Sequence, residues 1–353
     1  MKRIHKISNI PARDWRDCPD KDTYGFTAEV ADAATQALDR LVTTSFIAIA
    51  GGDVLYDYGD VSQVSYCASV RKSILSMLYG IYVERGVIDL HATMTDLGID
   101  ENEGLLDIEK TATLRDLITS SSGVYHPAGS PGGDTKGIPE RGSKVPGKHF
   151  FYNNWDFNVL GAAFEKLTGK SVFKAFEEHL AGPLGLQDFD INRQRMLGYP
   201  DASRYYAYHM FLSARDLARI GHLMTRGGRW DDQQLIPPNW VTESTSMFTA
   251  ARDMDNRMER IAGYSYLWWL PDVPAGKPWW RGSFFAVGNF GQYALCLPAL
   301  DMTFVHRHAI TDEQAIGRNQ GTFHGELATV TMQEFLAVCD IFTDEVGPMV
   351  WSR

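Results

Sequence analysis

The hydrophobic periodicity of the chain changes from strand-like to helical and back, and this order of segments restricts its fold. Residues 45–59, SFIAIAGGDVLYDYG, predict two strands joined by a Gly-Gly-Asp turn. Residues 87–230 are mostly helical in pattern. From residue 263 onward, four β-rich runs separated by turn residues predict an antiparallel meander: GYSYLWWLP, SFFAV, QYALCLP and MTFVHRHA.

Helices are predicted outside these strands, at 27–42 and at 326–342. We therefore expect an α+β fold, in which one antiparallel sheet is flanked by terminal helices and carries an inserted, mainly helical lobe. Residues 1–70 and 245–353 would form the sheet lobe, and residues 71–244 the helical lobe. The cleft between two such lobes is the expected place for an active site.

The composition disfavours several classes of function. The 353 residues are 44% hydrophobic and carry a net charge of −10, which disfavours binding to nucleic acid or to an anionic membrane. The four cysteines, Cys18, Cys67, Cys296 and Cys339, show no CxxC or zinc spacing and predict free thiols in a reducing compartment. The N-terminal segment lacks an apolar run and no long apolar segment follows, so we expect a cytoplasmic protein.

Ser69 and Lys72 stand three residues apart in the stretch ASVRKSILSMLYG, at the start of a predicted helix over 70–85. At this spacing two side chains share one helix face. A serine hydroxyl is a poor nucleophile, but a lysine whose ammonium form is disfavoured by burial or by other cations can act as its base. The backbone N–H of Ser69, at the helix N-terminus, can help to hold an oxyanion.

The S-x-x-K pattern is weak by itself, because serine is a common helix N-cap. The chain carries a second copy, Ser171 and Lys174, which follows Gly169 and opens an amphipathic helix. Capping of that helix explains the second copy. The choice of Ser69 as a nucleophile therefore depends on other motifs.

Tyr152-Asn153-Asn154 is the only Tyr-x-Asn sequence in the chain. A phenol beside a cationic lysine is expected to have a lowered pKa and to relay a proton. The amide of Asn154 can bond to both a lysine and a substrate. By itself, this stretch is equally explained by aromatic packing and a turn asparagine.

A third stretch, SFFAVGNFGQYALCLPALDMTFV, predicts a strand, a glycine turn and a return strand. The three motifs in this order resemble the serine β-lactamase-fold hydrolases, which include class C β-lactamases, D-alanyl-peptidases, family VIII esterases and nylon-oligomer hydrolases. LRDLITSSSGV at 114–124 and AGPLGLQD at 181–188 are similar to other parts of these enzymes. The resemblance implies a β-lactamase/transpeptidase-like fold with Ser69 as nucleophile, Lys72 as base and Tyr152 as a second proton shuttle.

The resemblance also implies binding residues. Asn154 would orient Lys72 and the substrate, and the oxyanion would be held by the N–H of Ser69 and one from the β-rich hairpin. Alignment places that second donor at Ala286, with the residues from Gly288 to Gln292 as alternatives.

The chain departs from the penicillin-recognising pattern at one position. Where those enzymes have Lys-Thr-Gly, this chain has Ser283, Phe284 and Phe285, which supply no cation. Arg204, Arg281 and Arg307 are candidates to replace it. Without a cation, the site favours neutral acyl groups over carboxylated ones.

We therefore expect a serine hydrolase that acts through an acyl-enzyme on small esters or amides and uses no metal or organic cofactor. A β-lactamase, a D-aminoacyl peptidase or an acyltransferase of the same fold is an alternative, as is a non-catalytic binding protein. The pair His306 and His308 lacks a third ligand and is expected to be structural. The expected partner is a small ester or amide substrate, with no nucleic acid and no membrane, and a homodimer is left open. The Gly/Pro-rich stretch from Gly123 to Gly147 is long enough to be a lid or binding loop.

Overall fold

The protein was examined as a computed structural model, which describes residues 11, 14–130, 137–255, 258–311, 314–315, 317 and 325–351. Of the expected loop from Gly123 to Gly147, residues 131–136 lie outside this range, and so do residues 1–10 of the N-terminal segment. The α+β fold expected from the sequence is confirmed: a large antiparallel sheet is combined with helices in a β-lactamase/transpeptidase-like arrangement.

The strands of the described chain are β1 (Ser45–Ala50), β2 (Asp53–Gly59), β3 (Ser65–Tyr66), β4 (Arg195–Leu197), β5 (Ala207–His209), β6 (Phe211–Leu212), β7 (Arg229–Trp230), β8 (Gln233–Gln234), β9 (Thr249–Ala250), β10 (Ile261–Tyr264), β11 (Trp269–Pro271), β12 (Phe284–Gly288), β13 (Gln292–Leu297) and β14 (Met302–Arg307). Eight of them form the main sheet, in the order β2-β1-β14-β13-β12-β11-β10-β9, and every pair is antiparallel. Strands β3 and β6, β4 and β5, and β7 and β8 form three two-stranded ladders.

The helices are α1 (Ala28–Leu38), α2 (Val70–Glu84), α3 (Leu114–Ile118), α4 (Asn154–Thr168), α5 (Val172–Phe176), α6 (Gly182–Leu184), α7 (Ala214–Thr225), α8 (Pro238–Ser244) and α9 (Met332–Trp351), with a π-helical turn at Glu177–Ala181. Short 3₁₀ turns occur at Lys21–Tyr24, Glu109–Thr111, Ile191–Arg193, Ala251–Asp253, Pro278–Trp280 and Pro298–Leu300. No helix of the described chain is both long enough and apolar enough to cross a bilayer.

Strand β1 shows why the sheet is buried on both faces. Its sequence SFIAIA lacks the polar alternation of a half-exposed strand, and all six residues are buried. Because successive side chains point to opposite faces, Phe46 packs in a core with α1 and α9, whereas Ile47 packs in a core with α2 and α7. The terminal helices therefore cover one face, and the inserted helices cover the other.

Helix α2 lies at the centre of the second core. Its residues from Val70 to Tyr82 are all buried, as expected for a helix surrounded by protein on every side. At Gly80 a Cβ atom would lie 2.3 Å from the Trp240 ring, so the absence of a side chain lets α8 approach closely. The nucleophile candidate Ser69 stands at the N-terminal end of this buried helix.

Three details differ from the sequence-based expectations. The closing helix was predicted at 326–342, but it begins at Met332 and continues to Trp351. The run GYSYLWWLP is a hairpin of β10 and β11, because Leu267 takes a left-handed conformation with φ +64°. The mainly helical insertion also contains two short ladders, β4 with β5 and β7 with β8, and a third ladder joins its strand β6 to β3. The predicted boundaries of the two lobes remain a prediction.

Candidate active site

Ser69 occupies a tight corner between β3 and α2. Ala68, just before it, is buried and has φ +48°, a left-handed conformation that costs free energy in a residue with a Cβ. Ser69 has φ −80° and ψ −6°, and its side chain makes no capping hydrogen bond to the helix backbone. Its hydroxyl is therefore turned away from the usual role of a helix-start serine.

The amine of Lys72 lies within hydrogen-bond distance of three other side chains of the site. Its Nζ lies 2.9 Å from Ser69 Oγ, 2.8 Å from Tyr152 Oη and 2.8 Å from Asn154 Oδ1. The residue is only 2% exposed, and burial, followed by the charge of Arg71, lowers the pKa of its amine well below the ordinary value. A lysine in this environment can be a neutral base.

The three contacts match what a neutral amine can make. It has two N–H donors and one lone pair, whereas an ammonium has three donors and no acceptor. Asn154 Oδ1 can only accept, so it takes one N–H. Of the two hydroxyls, one can accept the second N–H and the other can donate to the lone pair. A neutral Lys72 can thus accept a hydrogen bond from one of these two hydroxyls.

Tyr152 lies among aromatic rings, with centroid distances of 4.7 Å to Phe157, 5.5 Å to Trp269 and 6.1 Å to Tyr264. The sequence-based expectation of a lowered phenol pKa was wrong: burial raises the pKa of Tyr152 to about 12, although a hydrogen bond with Ser69 and the charge of Arg71 oppose this. The expectation assumed a cationic lysine, but burial lowers the pKa of the Lys72 amine and disfavours its charged form. A phenol with a raised pKa keeps its proton.

Asn153 was not predicted as a site residue, but its hydrogen bonds hold the backbone between Tyr152 and Asn154 in place. It is the N-cap of α4, accepting from the backbone N–H of Trp155 at 3.1 Å, and its Nδ2 donates to Val124 O and to Asp156 Oδ1. Ser122 donates to the same carboxyl oxygen at 2.6 Å, and burial raises the pKa of Asp156 well above its ordinary value. The Asn-x-x-Asp pattern at a helix start could have revealed this cap.

The strand of the third motif approaches the nucleophile candidate Ser69 at Gly288. A Cβ built on Gly288 would lie 2.7 Å from Cys67 O and 3.1 Å from Ser69 N, so strand and helix backbones touch there. Ala286, the donor expected from alignment, is buried two residues earlier and pairs with Ala294. In the described chain, β11 pairs with β12 only at Trp269 and Phe285, which leaves the later edge of β12 open.

Gln292 lies behind this edge, where its side chain is fully engaged. Its Nε2 donates to His308 O at 2.6 Å, and its Oε1 accepts from Arg307 Nε at 2.6 Å. Arg307 also donates to the carbonyl oxygens of Ser65 and Leu212. The Gln292 side chain thus positions a buried arginine beneath the segment that leads to Ser69.

The arginines considered as substitutes for the missing cation occupy other places. Arg307 is buried and its donors are occupied by protein oxygens, and Arg204 and Arg281 are exposed. Ser283 donates to Trp280 O, while Phe284 and Phe285 pack in the two cores. None of these side chains brings a positive charge to the Ser69 group.

His306 bonds through its two ring nitrogens to Gly291 O and Thr43 Oγ1. No group of three or more His, Cys, Asp or Glu side chains in the described ranges is arranged to hold a metal ion.

A cavity of about 660 Å³ adjoins the strand edge. Its described lining residues are Met258, Val287, Gly288, Asn289, Phe290, Tyr293, Gly325, Glu326, Leu327, Thr329, Val330, Thr331 and Met332. Gly288 both lines the cavity and lies against the backbone of Ser69, whereas the side chains of Ser69, Lys72 and Tyr152 are not part of the described lining. Its described lining contains no Lys or Arg and a single carboxylate, that of Glu326.

Comparison with known proteins identifies the class. The Beta-lactamase family model matches residues 30–308, so the chain belongs to the Beta-lactamase family and is a hydrolase of the serine β-lactamase fold.

Individual relatives are distant. The 6-aminohexanoate-dimer hydrolase of Paenarthrobacter ureafaciens is 22% identical over 303 residues, which cover 76% of this chain and 73% of that protein. The structure of a candidate 6-aminohexanoate-dimer hydrolase from Bacillus anthracis superposes with a TM-score of 0.65 at 18% identity, covering 98% of this chain and 90% of the other. EstCE1, a hydrolase with promiscuous acyltransferase activity, gives a TM-score of 0.58 at 14% identity, covering 87% of this chain and all of the other. At these identities the structural likeness establishes the fold alone.

Proposed function

We propose that this protein cleaves small carboxylic esters or amides through an acyl-enzyme on Ser69. The observation that carries the proposal is the single buried amine, Lys72 Nζ, within 2.9 Å of the Ser69 hydroxyl, the Tyr152 phenol and the Asn154 carbonyl oxygen. A helix-capping serine has no need of such a partner set.

In the acylation step, Ser69 Oγ attacks the substrate carbonyl carbon while its proton passes to Lys72 Nζ. The negative charge moves to the carbonyl oxygen, which the N–H of Ser69 and an N–H of the β12 edge stabilise. The contact between Gly288 and Ser69 N favours the Gly288 end of β12 over Ala286 for this second donor. The proposed acylation thus uses Ser69 as nucleophile, Lys72 as base and these two N–H groups as the oxyanion site.

Breakdown of the tetrahedral intermediate requires a proton for the departing alcohol or amine. Tyr152 contacts Lys72 at 2.8 Å and can donate its phenolic proton to the leaving group while it receives one from Lys72. Water then attacks the acyl carbon, the same pair takes its proton, and the carboxylic acid is released with Ser69 regenerated. No oxidant or reductant is needed at any step.

The substrate acyl group is proposed to be uncharged. The position of the family's carboxylate-binding lysine is occupied here by the uncharged Ser283, whose hydroxyl donates to Trp280 O, and the described lining of the adjacent cavity carries no Lys or Arg. Desolvating a substrate carboxylate without a cation partner is costly. Penicillins and peptides ending in D-alanine therefore fit this site less well than neutral esters and amides.

The test is a substrate panel read by intact-mass spectrometry and by turnover. The panel contains p-nitrophenyl esters of short neutral acids, matched anilides and nitrocefin. We expect an acyl adduct of the wild type, absent in Ser69→Ala, with the esters or anilides turned over faster than nitrocefin. Preferential turnover of nitrocefin would reject the neutral-acyl proposal, and the absence of any adduct with the panel or with a fluorophosphonate would favour a binding protein.

An acyltransferase is a second candidate, favoured by the structural likeness to EstCE1. It would form the same acyl-enzyme but pass the acyl group to an alcohol in preference to water. Adding increasing concentrations of a short alcohol to the ester assay separates the two. A transfer product that exceeds hydrolysis at low alcohol concentration indicates an acyltransferase, and hydrolysis that continues to dominate indicates a hydrolase.

A further inference from the structure

Arg71 is a buried cation beside the catalytic amine. It stands between Ser69 and Lys72 in the first turn of α2 and is only 3% exposed. Its guanidinium carbon lies 4.6 Å from the centroid of the Tyr208 ring, a cation–π distance. Its Nε and Nη1 find no hydrogen-bond acceptor among the described residues.

Several other arginines of the described chain are paired with acids, whereas the buried Arg307 is held by protein oxygens. Arg141 is held by the buried carboxylate of Glu109, and Arg215 is held by Asp188. None of the ion pairs formed by the described residues includes Arg71. A buried charge without a counterion is costly, so its retention here calls for a role other than stability.

The titratable groups around Arg71 include two of the proposed catalytic residues. The charge of Arg71 acts on Lys72 of its own helix and on Tyr152 of the segment before α4. Tyr208 and His209 of β5 also face the guanidinium. Burial, together with Arg71 and Lys72, lowers the pKa of His209 well below its ordinary value, so His209 is neutral. Among the described residues, the charge that acts on Lys72 is therefore that of Arg71.

We propose that Arg71 is a positioning residue: its buried guanidinium, which pairs with no acid of the described chain and lies over the Tyr208 ring, keeps the Lys72 amine unprotonated and so ready to accept the Ser69 proton. This inference rests on the proposed function of Ser69 and Lys72. The same positive charge stabilises the Tyr152 phenolate that forms when the phenol protonates a leaving group. One cation thus favours proton movement in the direction that acylation requires.

A competing role would be direct recognition of a substrate carboxylate by the free N–H groups of Arg71. The two roles give different kinetics. A residue that controls the protonation of Lys72 changes the pH dependence of acylation for neutral substrates. A carboxylate receptor raises KM for carboxylated substrates and leaves the pH dependence for neutral ones unchanged.

The sign of the expected pH effect follows from like-charge repulsion. The base form of Lys72 is the active one, so acylation rises as pH increases through the pKa of Lys72. Removing the charge in Arg71→Met relieves the repulsion, raises the pKa of Lys72 and moves the acid limb of kcat/KM to higher pH. A shift of about one pH unit is expected, which is about a tenfold loss on the acid side.

The experiment compares wild type with Arg71→Met, Arg71→Lys and Arg219→Met. Arg219 is a matched control because it is equally buried and lies over the rings of Trp15 and Trp230, but it does not act on Lys72. Arg71→Lys keeps the charge and should retain the wild-type acid limb. Arg71→Met alone should shift it, and a shift in Arg219→Met of the same size, or an unshifted Arg71→Met, overturns the proposal.

A second measurement does not depend on turnover. In protein labelled with ¹³Cε-lysine, the Lys72 signal is the one missing from Lys72→Met, and its titration is followed in wild type and Arg71→Met. A higher midpoint in Arg71→Met supports the proposal even if no substrate has been found, whereas equal midpoints reject it. A fully active enzyme with equal midpoints and a raised KM for carboxylated esters identifies Arg71 as a receptor.

Discussion

The chain contains the S-x-x-K pattern twice, at the start of α2 and at the start of α5, and the two copies have different surroundings. Ser171 is extended, with ψ 149°, and accepts a hydrogen bond from the backbone N–H of Lys174 at 3.1 Å. Ser69 has ψ −6° and makes no capping bond. The Lys174 side chain is 52% exposed and paired with Glu177, whereas Lys72 is buried and forms no ion pair with any acid that the structure describes.

The comparison shows which surroundings an S-x-x-K pair needs for proton transfer. A carboxylate beside a lysine stabilises the ammonium, and the hydrogen bond to Glu177 raises the pKa of Lys174. Burial beside Arg71 does the opposite to Lys72. Only a neutral amine can accept a proton, and Ser69, unlike Ser171, has its hydroxyl within hydrogen-bond distance of a buried amine. The predictions below contrast the two copies.

The largest contrast is expected between Ser69→Ala and Ser171→Ala. Loss of the nucleophile should reduce ester or amide turnover on the order of 10⁴-fold or more and abolish the acyl adduct. Ser171→Ala should leave both unchanged, because its hydroxyl is occupied by capping. Steady-state kinetics and intact-mass spectra of the two variants make the comparison, and equal losses would show that the wrong serine has been chosen.

A similar contrast is expected between the two lysines. Lys72→Met should approach the loss seen in Ser69→Ala, because general-base removal costs about 10²–10⁴-fold and the Ser69 and Tyr152 contacts disappear with the amine. Lys174→Met removes only a surface ion pair and should keep the wild-type rate. Rates of fluorophosphonate labelling report this without a known substrate. Rapid labelling of Lys72→Met would mean that another group deprotonates Ser69.

Tyr152→Phe is expected to have a smaller effect that depends on the leaving group. The ring would keep its packing on Phe157 and Trp269, while the hydroxyl that contacts Lys72 is lost. Anilide turnover should fall about 10²–10⁴-fold, and p-nitrophenyl ester turnover less, since a nitrophenolate leaves without a proton. Tyr264→Phe removes a neighbouring phenol and is the control. Equal losses for both substrates would exclude a role for Tyr152 in protonating the leaving group.

Much of the fold could be predicted from the sequence because its signals are local. The alternation between strand and helix periods predicted the main sheet and the helical insertion, and the nearly continuous apolar run of β1 reflects burial on both faces. The short ladders, such as β3 with β6, were missed. Strands of two residues leave no periodicity, and they exist because distant segments meet in the folded chain.

The residues of the site were predictable where a sequence motif contained them. Properties that depend on packing between distant segments were not predictable. The structure brings Ser69, Lys72, Tyr152 and Asn154 together, as the motifs suggested, though their roles stay a prediction. The raised pKa of Tyr152 and the position of Gly288 against Ser69 N depend on burial and backbone approach between distant segments. No local pattern encodes such distances. The sequence did not single out Arg71, because its effect on Lys72 depends on the absence of a nearby acid in the folded protein.

The smallest expected effect concerns stability and tests the other half of the comparison. Ser171→Ala removes the capping bond to Lys174 N and should lower the free energy of unfolding by about 1 kcal/mol. Ser171→Asn keeps a capping oxygen and should restore most of it. Ser69→Ala loses no cap, so its cost should be smaller than that of Ser171→Ala in the same urea titration. A larger cost at Ser69 would mean that its hydroxyl holds the helix start together, and the assignment of one serine to chemistry and the other to capping would then fail.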